Sequence, residues 1–168
     1  MEPLDDLAAM EEEVLAQIKR VILDIKKAIK DEPSDLAEGI RVLADLRKEV
    51  YEDLNQLQHE AMILRAARSI NSTDFFGDII EWYWNPRQTG SAEEPDLRGE
   101  IKGKAVVSAE ITTSENPKGT IDKRMASTLK NLNNMSGKKL YFVRTETMEN
   151  RAKTKVLKSG YQIKIRKV

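Results

Sequence analysis

Apolar residues return along the first seventy positions at helical spacing. Leu7, Val14, Val21 and Ala28 lie seven apart, with Ile18 and Ile25 between them, which predicts one long amphipathic helix from Leu4 to about Lys30. Asp31-Glu32-Pro33 interrupts it, because proline disfavours helical geometry in the residue before it, and Ser34 is the expected cap of a second helix. That helix carries Leu36, Leu43, Val50, Leu57 and Leu64 at strict heptad spacing, supported by Ile40, Leu54 and Ala61, and reaches about Ser69. The short break predicts an antiparallel helical hairpin over residues 1–70. Two such helices bury little by themselves, so they are expected to pack on the rest of the chain, on a second copy, or on both.

Beyond Asn71 the period changes. Ile79 to Trp84 is rich in branched and aromatic residues and reads as a strand closed by Asn85-Pro86, followed by a polar loop from Arg87 to Glu94. Pro95–Ile101 and Lys104–Thr112 read as two strands joined at Lys102-Gly103, where glycine supplies the positive φ of a tight turn. Thr120 is the expected cap of a helix with Ile121, Met125, Leu129, Leu132 and Met135 on its apolar face and Gly137 as its stop. Leu140–Val143 is then a buried strand, Met148 to about Lys158 a helix ended by Ser159-Gly160, and Tyr161–Val168 an edge strand. The order is two helices followed by β-β-β-α-β-α-β, an α/β (α+β) chain with a mixed central sheet flanked by helices. Trp82, Tyr83 and Trp84 are expected mainly in the core, as are Met125, Met135 and Met148.

Charge sharpens this division. The net charge is zero, yet residues 1–70 hold 16 acidic and 10 basic side chains, and residues 71–168 hold 12 and 18. Lys138 to Val168 alone has ten Lys or Arg against Glu146 and Glu149, which suits either a polyanionic partner or a solvated basic face. The absence of cysteine excludes disulfides, thiolate zinc sites and thiol catalysis. The single histidine, His59, sits on a polar stretch of helix with no catalytic partner visible in the sequence, so a metal would have to sit on oxygen ligands. The N-terminus is acidic and no stretch approaches the roughly 20 apolar residues of a membrane span, so a soluble cytoplasmic protein is expected.

A hairpin centred near Gly103 pairs residues whose numbers sum to about 206, which sets Asp96 opposite Glu110. Facing carboxylates repel, and a divalent cation between them would relieve the cost; Mg²⁺ is held by one or two carboxylates with waters and phosphate. Against this, one carboxylate could point to solvent or pair with Lys104 or Arg98, and a one-residue slip of register would send the two to opposite faces.

Pro95-Asp96, thirteen intervening residues and Glu110-Ile111-Thr112 together resemble the PD-(D/E)XK motif of the restriction-endonuclease-like nuclease superfamily. The resemblance spans about Asp53 to Val143, with the second long helix able to supply the first helix of a core otherwise formed by residues 71–168. It implies a metal-dependent nuclease acting on DNA, with Mg²⁺ or Mn²⁺ on Asp96 and Glu110. Thr112 stands where such nucleases place a lysine, so Lys123 in the following helix is the candidate replacement, ahead of Lys118 and Lys102. By order along the chain Glu60 matches an additional acid from the preceding helix, and Gln88 and Thr89 lie in a loop placed to reach metal waters or a phosphate. Lys118, Arg124 and Arg87, with the basic C-terminal residues, are the expected contacts to the DNA backbone. Two alternatives come from the same residues: an inactive nuclease-like fold that binds nucleic acid, and a chain whose working part is the helical pair, as a homodimer or a docking element.

Overall fold

The structure, a computed structural model, describes residues 1–29, 32–71, 80–86 and 94–168. The predicted contributions of Arg87, Gln88 and Thr89 therefore lie outside the described residues.

Ten elements follow one another: β1 (Glu2–Pro3), α1 (Leu7–Ala28), α2 (Leu36–Asn71), β2 (Glu81–Trp84), β3 (Leu97–Ile101), β4 (Lys104–Thr112), α3 (Thr120–Asn134), β5 (Lys138–Val143), α4 (Glu146–Ser159) and β6 (Ile163–Lys167). The six strands make one mixed sheet in the spatial order β1-β2-β3-β4-β5-β6. β1 to β4 are antiparallel neighbours, whereas β4, β5 and β6 run parallel, α3 and α4 providing the two crossovers. β1 has no counterpart in the sequence reading, because two residues, one of them proline, carry no period to detect.

Helices cover both faces of the sheet, and alternation along β5 shows how. Leu140 and Phe142 join a core with Leu57, Ile63, Leu64 and Ile70 of α2 and Val107, Ala109 and Ile111 of β4. Tyr141 and Val143 point the other way, into a second core with Met125, Leu129 and Leu132 of α3 and Met148 and Ala152 of α4. α1 lies along α2, with Val14 buried between them and Arg68 bonded to Glu11 at 2.6 Å. Trp82 and Trp84 are buried, as expected of a core strand. Gly99 of β3 makes room for Trp82 and Ile80, since a Cβ there would come within 3.0 Å of the Trp82 ring and 2.9 Å of Ile80. Among the described residues no helix is long and apolar enough to cross a membrane.

Two of the predicted caps differ. The start of α2 is capped by Asp35, whose Oδ1 accepts the Glu38 amide at 2.8 Å, while Ser34 donates its own amide and hydroxyl to Glu38 Oε2. Aspartate holds the position directly before the first helical residue, so its carboxylate reaches the free amides and the serine falls one step outside. Thr120 is the first residue of α3 rather than its cap; Gly119, at φ 55°, precedes the helix with no side-chain hydrogen bond.

Candidate functional site

β3 and β4 pair as their arithmetic requires. Leu97, Arg98 and Gly99 face Ala109, Ser108 and Val107, each pair summing to 206, and a bulge between Gly99 and Glu100 shifts the register only on the turn side. The chain leaves β3 at Asp96, so β4 outruns its neighbour from Glu110 onward. There Asp96 replaces the missing strand: its carbonyl accepts from Asn85 N at 2.9 Å, and its Oδ2 accepts from Ile111 N at 2.7 Å. A strand amide is thus satisfied by a carboxylate, which fixes that carboxylate beside Glu110.

Asp96 is buried, at 5 % exposure. Burial, the adjacent Asp96 charge and a hydrogen bond between the two carboxyls all push the Glu110 carboxyl well above the ordinary carboxylate range. That direction is what a carboxyl crowded against a second one, with little access to water, requires.

His59 of α2 completes the group. Its Nε2 stands 3.3 Å from Asp96 Oδ2, near enough for charge attraction but off the line of a hydrogen bond, and neither ring nitrogen has an aligned partner. Burial of the imidazole opposes protonation, but the Asp96 carboxylate beside it outweighs this, so His59 is held above its usual value. The sequence shows no partner for His59, and the fold brings Asp96 beside it from 37 residues away.

Glu110 and His59 open into a cavity of about 470 Å³ between α2 and α3. Thr112, Tyr141, Asn55 and Gln56 line it, and Arg124 is the one Lys or Arg to do so among the described residues. Thr112 is engaged by the Tyr141 phenol and by the Ser114 amide at 3.4 Å. Burial pushes that phenol upward despite this bond, so Tyr141 stays protonated and offers an O–H.

The remaining sequence candidates fall elsewhere. Lys123 is exposed and does not line the cavity, because α3 turns Ile121, Arg124, Met125 and Thr128 toward it. Lys118 is an exposed loop residue whose carbonyl accepts from Ile121 N at 3.1 Å. Lys102 occupies the β3–β4 turn, at φ 51°, at the opposite end of β4 from Glu110. Glu60 is buried but lines a separate groove of about 250 Å³ between α1 and α2, with Gln17, Arg20 and Asp53. One helical position separates it from His59, and α2's rotation gives the cavity to His59.

Among the described residues no three His, Asp or Glu side chains are placed to hold a metal together. A cation here would take carboxylate oxygens of Asp96 and Glu110, with water and phosphate filling the remaining positions, a donor set that fits Mg²⁺ or Mn²⁺ and not zinc.

A comparison with protein-family models, curated proteins and solved structures finds no match to this chain.

Proposed function

We propose that the chain is a metal-dependent nuclease that hydrolyses DNA phosphodiester bonds on a restriction-endonuclease-like core, with the long N-terminal helices packed as a hairpin against it. The observation that carries this reading is the placing of buried Asp96 beside half-buried Glu110 where β4 outruns β3, the Asp96 carboxylate held there by the Ile111 amide. The element order supports it: a helix, three antiparallel strands, a helix and a parallel strand are the arrangement that the Pro95-Asp96…Glu110-Ile111-Thr112 motif leads one to expect.

Asp96 and Glu110 would hold Mg²⁺ or Mn²⁺, which when bound supplies Lewis-acid polarisation of the phosphate and of the attacking water. The chain's own groups do the rest. Arg124 faces the cavity and offsets negative charge on the non-bridging phosphate oxygens, the task otherwise given to a lysine at position 112. The hydroxyls of Thr112 and Tyr141 orient water or phosphate by hydrogen bonding. His59 and the Ile111 amide hold Asp96 in place. Water attacks phosphorus in line as the bond to the leaving sugar oxygen breaks.

Cleavage of supercoiled plasmid in Mg²⁺ tests this. Wild type nicks it, Glu110→Gln and Asp96→Asn lose about a hundredfold or more, and Arg124→Ala loses activity with little change in metal affinity. Equal nicking by wild type and both carboxylate variants would refute the reading.

Two observations favour a second reading. No lysine lines the cavity among the described residues, and Thr112 is engaged by Tyr141. Under this reading the fold is an inactive nuclease-like module that binds nucleic acid, and neutralising Asp96 or Glu110 leaves DNA binding intact or stronger by removing negative charge.

A further inference from the structure

Two grooves away from the Glu110 cavity share one side chain. The first, about 410 Å³ between α3 and α4, is lined by Lys130, Arg151, Lys155 and Lys158. The second, about 450 Å³ at the N-terminal ends of β5 and β6, is lined by Lys138, Lys139 and Lys164. Tyr161 lines both. Gly160, in the left-handed conformation at φ 66°, ends α4 and turns the chain so that Tyr161 falls between them. Among the described residues no aspartate or glutamate lines either groove. Asp122 holds Arg151 at 2.7 Å and Lys155 at 3.0 Å and so fixes two of the cations in position. Among the described residues, seven Lys or Arg side chains thus line the two grooves.

We propose that these two grooves, joined at Tyr161, form a strip that binds the phosphate backbone of a nucleic acid outside the catalytic cavity. The ligand class rests on the nuclease reading; the site itself does not use its residues. Cations spread over two grooves, with an aromatic ring between them, match a chain of phosphates with a base to stack better than a single phosphate, which needs converging donors. An anionic membrane would need a broad apolar face beside the cations, and Leu157, at 83 % exposure, is a lone residue. The placement also fits. Lys138 and Lys139 pair with Val107 and Ser108 of β4, whereas Glu110 and Thr112 pair with Tyr141 and Val143, so strip and cavity lie at successive positions along the same strands. α3 separates them, turning Arg124 and Thr128 to the cavity and Ala126 and Lys130 to the strip.

The test is fluorescence anisotropy with a labelled 30-nucleotide DNA, single-stranded and duplex, in EDTA, across a salt series. The charge-reversed variant Lys130→Glu/Lys158→Glu is expected to bind roughly tenfold or more weakly at low salt, with a shallower log–log salt slope, by about two for the duplex. Tyr161→Ala is expected to weaken the single strand by roughly tenfold and the duplex much less. The milder Lys130→Gln/Lys158→Gln, with an unchanged melting temperature, keeps the test independent of folding. Unchanged affinity and slope in both double variants would overturn the strip, as would phosphatidylserine-vesicle binding lost in the double variants while DNA binding stays the same. The nuclease reading fails separately: charge-sensitive binding without any cleavage by wild type refutes the chemistry alone, and cleavage with charge-insensitive binding refutes the strip alone.

Discussion

Glu110 is the residue at which charge and fold conflict. Its carboxyl is raised by burial and then by Asp96, so the folded chain holds that proton more tightly than the unfolded chain does. Stability from this group is complete below its ordinary value of 4.5 and is lost as pH rises toward the folded value. His59, also raised, adds a loss of the same sign above its ordinary 6.5. In EDTA the melting temperature of wild type is therefore expected to fall between pH 5 and pH 8 on the order of this linkage, at most about 1.4 kcal/mol per pH unit per proton. Glu110→Gln, which cannot ionise, should flatten that fall, as should millimolar Mg²⁺ added to wild type. Parallel pH profiles for wild type and variant would contradict the proton assignment. The carboxylate pair was legible beforehand because strand pairing is arithmetic, and the bulge that breaks the sum lies beyond Gly99, on the side away from the site. His59 was not legible, since its partner lies on another element. Arg124 was legible in principle: positions 121, 124, 125 and 128 share one helical face, and Lys123 does not belong to it.

At the scale of elements, the ends are where sequence and structure part. Helix bodies and strands follow from periodicity, but a cap is decided by a single residue, so Asp35 displaces Ser34 and Gly119 displaces Thr120. Gly137 was expected as a helix stop, and its stricter role is the entry to β5. At φ 77° a Cβ would meet the Val106 carbonyl carbon at 2.4 Å, whereas at Gly160, with φ 66°, nothing lies within 4 Å. Gly160→Ala is expected to cost about 1 kcal/mol, the backbone term alone, and Gly137→Ala clearly more, because β4 must also shift. Urea denaturation of both variants checks the order, and equal losses would contradict it. α2 shows a different mismatch. Its heptad continues through Leu57 and Leu64, which are buried, but Leu36, Ile40 and Leu43 of the same stripe are 83 %, 61 % and 62 % exposed. Exposed apolar positions at heptad spacing suit packing against a like helix, and we propose a second copy as the partner. Ile40→Glu/Leu43→Glu should then convert a dimer into a folded monomer in analytical ultracentrifugation; a wild-type monomer at working concentration would remove the proposal.

The whole molecule divides its surfaces by charge and chemistry. The acidic helical half meets the sheet on one face, and α3 and α4, which carry most of the basic strip, meet it on the other. The Glu110 cavity lies where α2 and α3 approach each other beyond the end of β3. The hairpin of β3 with β4 and the switch to parallel pairing in β5 and β6 follow from a short turn and two helical crossovers that the sequence displays, whereas the β1 edge does not. The cavity does not, because it is bounded by residues of α2, β4, α3, β5 and α4 together. A salt series on the intact protein tests this division: replacing the Lys130 and Lys158 pair should change DNA affinity while leaving metal affinity alone, and replacing Glu110 should do the reverse.

Calorimetric titration of Mn²⁺ into wild type and Asp96→Asn, each also assayed for plasmid cleavage, measures the central claim directly. Wild type is expected to bind one ion, with proton release from Glu110 near neutral pH, and the variant neither to bind nor to cleave. Indistinguishable Mn²⁺ binding by both proteins, or cleavage that survives in Asp96→Asn, would contradict it.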